Sequence, residues 1–210
     1  MSRIWDISQT LRPGLPVWPG DTAYLAEPTW VLEEGCPVNV GRVQLSTHSG
    51  THADAPLHYD ANGESIAEVA LEVYLGPCVL IDAVSAKGRV QPEDIVDQLP
   101  ERVERVLLRT YPSFPHHRWV DDFTAVAADT IELLAERGAR LIGIDSPSLD
   151  PQSSKTLDAH RAVRRHRMAI LEGLVLDRVP AGHYELIAPP LKLDTLDASP
   201  VRALLRSIHP

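Results

Sequence analysis

The residues most able to do chemistry lie in one run, His48-Ser49-Gly50-Thr51-His52-Ala53-Asp54-Ala55-Pro56-Leu57-His58. Three imidazoles and a carboxylate, at 48, 52, 54 and 58, are donors of the kind that hold a divalent metal. All four positions are even, so an extended chain would set them on one face. Extension alone fails: His48 and His52 would stand roughly 13 Å apart, whereas ligands about 2.1 Å from one ion converge within a few ångströms. A helix would bring i and i+4 together, but Ser-Gly-Thr between them and Pro56 beyond argue against one. The chain must therefore bend near Gly50. That separates the run from the helical H-E-x-x-H zinc pattern, whose internal Glu is missing here. The competing view, of scattered surface or core histidines, fits poorly with three of the chain's nine His in so short a stretch. Two later residues are candidates to complete a metal site. His160 falls on a helix candidate, and Glu172 follows the apolar pair Ile170-Leu171, where a lone carboxylate is normally avoided unless paired. Spacing alone leaves each equally readable as a solvated helix face and a strand-end charge.

Positioning such groups requires a frame of strands. Ile4 to Ile7 is a short strand candidate, and LRPGLPVWPGD after it, with three Pro and two Gly, is a structured loop carrying Trp18. Strand spacing recurs at 38–47, 77–83, 105–110 and 141–145, the last ending at Asp145. Pro92 opens a short helix through Gln98. Asp129 is read as the N-cap of TIELLAERG, with Gly138 closing that helix, and a further helix covers Leu157 to Met168. ILEGLVL and HYELIAPPLKL suggest further strand or turn structure before VRALL. Alternating strands and helices give an α/β class, and without repeats or a long linker the expectation is a single domain over 1–210.

Composition narrows the partners. Acidic residues outnumber basic ones 29 to 20, and a net charge of −9 disfavours nucleic acid and anionic membrane. The opening MSRIWDISQT has no apolar signal-peptide run, and no segment has the roughly 18 to 20 apolar residues of a membrane span, so a cytoplasmic protein is expected. Cys36 and Cys78 are read as buried thiols, not a disulfide. The basic run Arg161, Arg164, Arg165, His166 and Arg167 reads as a solvated helix face, and His116-His117 as an exposed loop. Trp5, Trp30 and Trp119 are assigned to core or interface.

The run from His48 to His58 resembles the H-x-G-T-H-x-D-x-P-x-H signature of the cyclase family of metal-dependent hydrolases. Supporting segments in order are WDIS at 5–8, PVWPGD at 16–21, GIDSPSLDP at 143–151, TLDAH at 156–160, ILEGLVLD at 170–177 and ASPVRALL at 198–205. Within the family, the Trp18 loop and the ILEGLVLD segment are most similar to the arylformamidases of tryptophan breakdown. The resemblance implies a swivelling β/β/α fold, a homodimer, two divalent ions, and N-formyl-L-kynurenine as the small-molecule substrate. Carried over by position, it makes His48, His52 and Asp54 ligands of one metal, His160 a ligand of the second, and Asp54 and Glu172 bridging carboxylates. It makes His58 the acid/base and Trp18 a substrate contact. Thr195 departs from the Gly often found there and would be strained at positive φ.

The residue types suit that chemistry independently. A divalent metal polarises a formamide carbonyl and lowers the pKa of bound water toward about 7. An imidazole, with an ordinary pKa near 6.5, can take a proton from water and return it to the leaving arylamine nitrogen. Imidazole and carboxylate ligands suit zinc and manganese alike, with zinc implied by the resemblance. A serine route is weak, since the G-x-S-x-G elbow is absent and Ser146 lacks flanking glycines. The alternatives are another cyclase-family amide or lactam hydrolase of the isatin-hydrolase kind, or a non-catalytic metal-binding module. The module has no use for a non-ligand His58 beside its ligands.

Overall fold

The computed structural model describes residues 2–208. Its frame is a nine-stranded mixed sheet. In chain order its strands are β1 (Ile4–Asp6), β4 (His52–Asp54), β5 (Leu75–Asp82), β7 (Arg105–Arg109), β9 (Leu141–Ile144), β10 (Ala169–Glu172), β11 (Gly182–Ile187), β12 (Ala198–Pro200) and β13 (Leu204–Ser207). Outside it lie a hairpin of β2 (Leu25–Trp30) and β3 (Val40–Gln44), and a two-stranded parallel pair of β6 (Arg89–Val90) and β8 (Ala125–Val126). The spatial order is β1-β13-β11-β5-β7-β9-β10-β4-β12. The middle four strands, β5, β7, β9 and β10, run parallel, and antiparallel strands extend both edges.

The parallel strands read as unbroken apolar runs because both of their faces are covered. On one face Ile81, Val106, Leu108, Ile142 and Ile144 pack with Ile131 and Leu134 of α2 (Ala128–Glu136) and Val163 of α3 (Asp158–His166). On the other, Leu80, Leu107, Leu141 and Leu171 pack with Leu186 and Leu205 from the antiparallel edge. The first helix, α1 (Pro92–Ile95), carries a capping box between Gln91 and Asp94 and continues as a 3-10 turn to Gln98. Placing the β-strands at 38–47, 77–83, 105–110 and 141–145 agrees with the observed strands to within a few residues. The tail beyond VRALL's first residues is strand β13.

Two expectations need correction. The N-cap of α2 is Ala127, without a side-chain cap, and Asp129 sits inside the first turn, where a carboxylate still favours the helix dipole. Cys78 is buried as expected, but Cys36 is only half-buried on the loop joining β2 and β3; both are free thiols. Trp30, assigned to core or interface, lies outside the core at 58% exposed. Gly138 does close α2 at φ +90°, and the basic face of α3 pairs with acids: Arg164 with Asp60, and Arg165 and His166 with Glu132. No helix among the described residues is long and apolar enough to cross a membrane.

Candidate metal centre

Loops leave an α/β sheet at the carboxyl ends of its parallel strands, and ligand sites gather there. Glu172 is the last residue of β10, and Asp145 follows β9. Strand β4 runs antiparallel to β10 in a register that sets His52 opposite Glu172 and Asp54 opposite Ile170. Thus His52 and Glu172, far apart in the chain, become neighbours by strand pairing. The loop before β4 is held against the end of β10 through two glycines. Gly50 has φ +66°, and a Cβ on Gly173, at φ +63°, would lie 2.5 Å from the Gly50 carbonyl oxygen. Only glycine fits both needs. Thr51 Oγ1 donates to the Gly173 carbonyl at 2.6 Å, as Gln9 Nε2 does at 2.9 Å. The bend expected near Gly50 is therefore present. Beyond β4, Pro56–His58 forms a 3-10 turn that returns His58 toward Asp54.

The expected residues converge. His48 Nδ1 lies 3.1 Å and His52 Nε2 3.5 Å from Asp54 Oδ1, and His160 Nε2 lies 3.6 Å from Asp54 Oδ2. Glu172 faces the same ring atoms, with Oε2 3.4 Å from His52 Nε2 and Oε1 3.6 Å from His160 Nε2. Each carboxylate so presents one oxygen toward His52 and the other toward His160. Ligand atoms of His48, His52 and Asp54 form one compact group, and those of Asp54, His58 and His160 another, each within 4.8 Å. His52, Asp54, His160 and Glu172 are all buried.

The outer nitrogens of these rings are already engaged. His52 Nδ1 meets the Gly50 carbonyl at 2.9 Å, His160 Nδ1 meets Asp150 Oδ2 at 2.7 Å, and His48 Nε2 meets Asp197 Oδ2 at 2.9 Å. Such partners fix the tautomer and leave the other nitrogen free to bind an ion. The free sides have no ordinary partner: His52 Nε2 and both Asp54 carboxylate oxygens are buried without a hydrogen bond. Buried orphans of this kind are costly, and a cation among them removes the cost. The donor set fits a divalent metal.

The same crowding sets the protonation of the protein on its own. Burial lowers His48 and His160, but the carboxylates beside them prevail, raising His48 to about 9 and His160 to about 10. Burial opposes ionisation of Asp54, yet His160 and His48 hold it well below the usual carboxylate range. Asp197, also opposed by burial, is drawn down to about 2 by His48 and His58. These rings hold protons where ions would sit, so loading a metal must release them.

A cavity of about 380 Å³ opens over the cluster, a size that suits a small molecule. His48, His52, His58, His160 and Glu172 line it on the side of the cluster. Trp18 lines it with Trp119 edge-on at 5.4 Å, and Phe114 and Tyr111 complete an aromatic wall. Trp119, expected in core or interface, is thus a cavity residue whose Nε1 donates to Gln152. His116 and His117 are exposed, as expected, and do not line the cavity. Ser146 is fully buried and its hydroxyl donates to the Ser148 carbonyl, so it is engaged within its own loop. Thr195 has φ +60°, so the strain expected of it is present. Sequence reasoning missed Asp150 and Asp197. Both lie in or beside family-like segments, but nothing in a single chain marks a carboxylate as the outer partner of a distant imidazole.

Comparison with known proteins agrees with this geometry. The Cyclase family model, described as "Putative cyclase", matches residues 5–151. A kynurenine formamidase of Maricaulis maris (strain MCS10) is 58% identical over 208 residues, covering 99% of this chain and 100% of that one. A solved structure described as a potential metal-dependent hydrolase with cyclase activity superposes with a TM-score of 0.86 at 30% identity, covering 100% of both chains. Isatin hydrolase A from Labrenzia aggregata superposes with a TM-score of 0.82 at 27% identity, covering 98% of this chain and 93% of that one. With its signature run folded into one cluster and its relatives matched end to end, the chain belongs to the cyclase family.

Proposed function

We propose that this chain, working as one domain, hydrolyses N-formyl-L-kynurenine to L-kynurenine and formate in tryptophan degradation. The observation that carries the reading is a set of buried, unpartnered ligand atoms beneath an aromatic-walled cavity, with His58 at its edge. The 58% identical kynurenine formamidase supports the substrate. His48, His52 and Asp54 would hold one divalent ion, and His160 with the shared carboxylates Asp54 and Glu172 a second, zinc or manganese by donor type. When bound, such ions supply Lewis acidity toward the formyl oxygen and toward water.

The chain's own groups do the rest. Trp18, Trp119 and Phe114 bury the aryl ring by stacking or edge contact. Arg118 and Asp21, on the cavity wall, carry the opposite charges that a zwitterionic amino-acid tail would meet. His58 accepts a proton as the water oxygen bonds to the formyl carbon, then delivers one to the aryl nitrogen as the C–N bond breaks. No covalent bond to the protein forms. We further read the protein as cytoplasmic and as a homodimer, the dimer because Leu25, Trp30, Leu32, Val40 and Val43 of the β2–β3 hairpin are exposed apolar side chains that a second copy would cover. The structural likeness to isatin hydrolase A favours one alternative, lactam hydrolysis at the same centre, which also ends by protonating an aryl nitrogen. Metal analysis with parallel assays on N-formyl-L-kynurenine and isatin tests both. Turnover of the formamide at least 100-fold more efficient is expected, and preference for isatin would replace this reading.

A further inference from the structure

We propose that Asp197 is the positioning residue of the acid/base, holding His58 in one tautomer and one orientation while tying it to the ligand ring of His48. This rests on the role proposed for His58 above. Asp197 precedes β12, whose pairing with β4 sets Ala198 opposite Asp54. Its backbone carbonyl accepts from Ala55 N–H at 2.8 Å, and its Oδ1 accepts from Thr47 Oγ1 at 3.0 Å. The residue is therefore held at its backbone by Ala55 and at Oδ1 by Thr47, with Oδ2 left for imidazoles. That single oxygen lies 3.1 Å from His58 Nδ1 and 2.9 Å from His48 Nε2.

An ionised carboxylate only accepts, so both facing nitrogens must carry protons. The consequence differs for the two rings. His48 keeps Nδ1 free toward Asp54, and His58 keeps Nε2 free toward the cavity, where a proton must be taken and returned. The rings sit with centroids 4.2 Å apart. The His58 side chain is 34% exposed, and Asp197 is its hydrogen-bond partner among the described residues. Without that anchor the ring is free to turn about χ1 and χ2 and to exchange tautomers.

Nitrogen-15 NMR of the histidine rings in metal-loaded protein, joined to kinetics on N-formyl-L-kynurenine, tests the assignment. In the parent protein His58 should show a single Nδ1–H tautomer, and Asp197→Ala should show a mixture. Asp197→Ala should lower kcat roughly 10- to 100-fold with KM within about twofold, at metal content verified by elemental analysis. Asp197→Asn keeps one acceptor oxygen in place and should recover most of the rate, which also controls for folding. In a His58→Ala background the Asp197→Ala change should cost less than about threefold more, since the two residues act as one unit. An unchanged His58 tautomer in Asp197→Ala, the same loss of rate in the His58→Ala background, or loss of metal at saturating supply would each overturn the proposal. Failure of the parent protein to turn over the formamide would sink the substrate reading instead, and the tautomer measurement would still decide the role of Asp197.

Discussion

At the end of β10, His52, Asp54, His160 and Glu172 are buried together, with His52 Nε2 and both Asp54 carboxylate oxygens unpartnered, while on the β2–β3 hairpin Trp30, Leu32 and Val43 stand 58%, 59% and 59% exposed. The two regions break the ordinary rule of burial in opposite senses. One hides charge and the other shows hydrocarbon. In each case the exception makes sense as half of an interaction. The buried carboxylates and imidazoles suit a divalent cation, and the apolar hairpin face suits a second apolar surface. They differ in how the missing half is specified. The cluster is rigidly preset by strand register, two glycines and outer hydrogen bonds, so its guest must match a narrow geometry. The hairpin offers mainly apolar area beside one exposed Arg42–Glu27 ion pair, and a hydrophobic face is less selective.

Removing metal probes the buried side most severely. Chelation followed by dialysis should abolish hydrolysis and lower Tm, because ions that bind only the folded state stabilise it. Full activity in protein shown metal-free by elemental analysis would break the comparison at its root. Next in size is His58→Ala, which should keep near-normal metal content and lose roughly 10²- to 10⁴-fold in kcat. Substrates with better arylamine leaving groups should suffer less, and loss of an ion instead would make His58 a ligand.

A third effect comes from Asp145, buried at the same strand ends. Burial raises its carboxyl to about 6, although Thr110 and Tyr111 donate to it. Its folded value thus exceeds the unfolded one near 3.9, and the native state binds the proton more tightly. Its contribution is fully present below about pH 4 and is lost as pH rises through about 6, on the order of 3 kcal/mol. Carbon-13 titration of that carboxyl in metal-free protein should give a midpoint near 6, and a midpoint below 4 would show that the donors outweigh burial. On the exposed side, Leu32→Asp should weaken self-association roughly 30-fold, about 2 kcal/mol, as read by analytical ultracentrifugation. A monomer in the parent protein, or an unchanged dimer in the variant, would assign the hairpin elsewhere. The smallest effect is at Thr195, whose φ of +60° suits glycine. Thr195→Gly should raise stability by about 1 kcal/mol and Tm by roughly 2–4 °C, and a fall in Tm would show that the Thr195 hydroxyl, bonded to the Asp194 carbonyl, matters more than the backbone.

Much of the buried half can be read from the chain before it is folded. The spacing of His48, His52, Asp54 and His58 excludes both a straight strand and a helix, and Gly50 supplies the bend. His160 and Glu172 are harder, because a helix His and a strand-end Glu have ordinary explanations until a family-like pattern singles them out. The exposed half is hardly legible. LAEPTW carries Pro28 at the β2–β3 bulge, and no alternation marks its apolar residues as facing water.

Local composition set the identity of the ligand donors, the bend and the apolar strands, since each depends on residues close in sequence and on their own conformational preferences. Which carboxylate stands behind which imidazole depended on strand order and register. Asp197 reaches His48 and His58 because β12 pairs with β4, and Asp150 reaches His160 across the loop before α3. Those are long-range hydrogen bonds and packing choices, summed over the whole sheet, and no short stretch of chain contains the energies that select them.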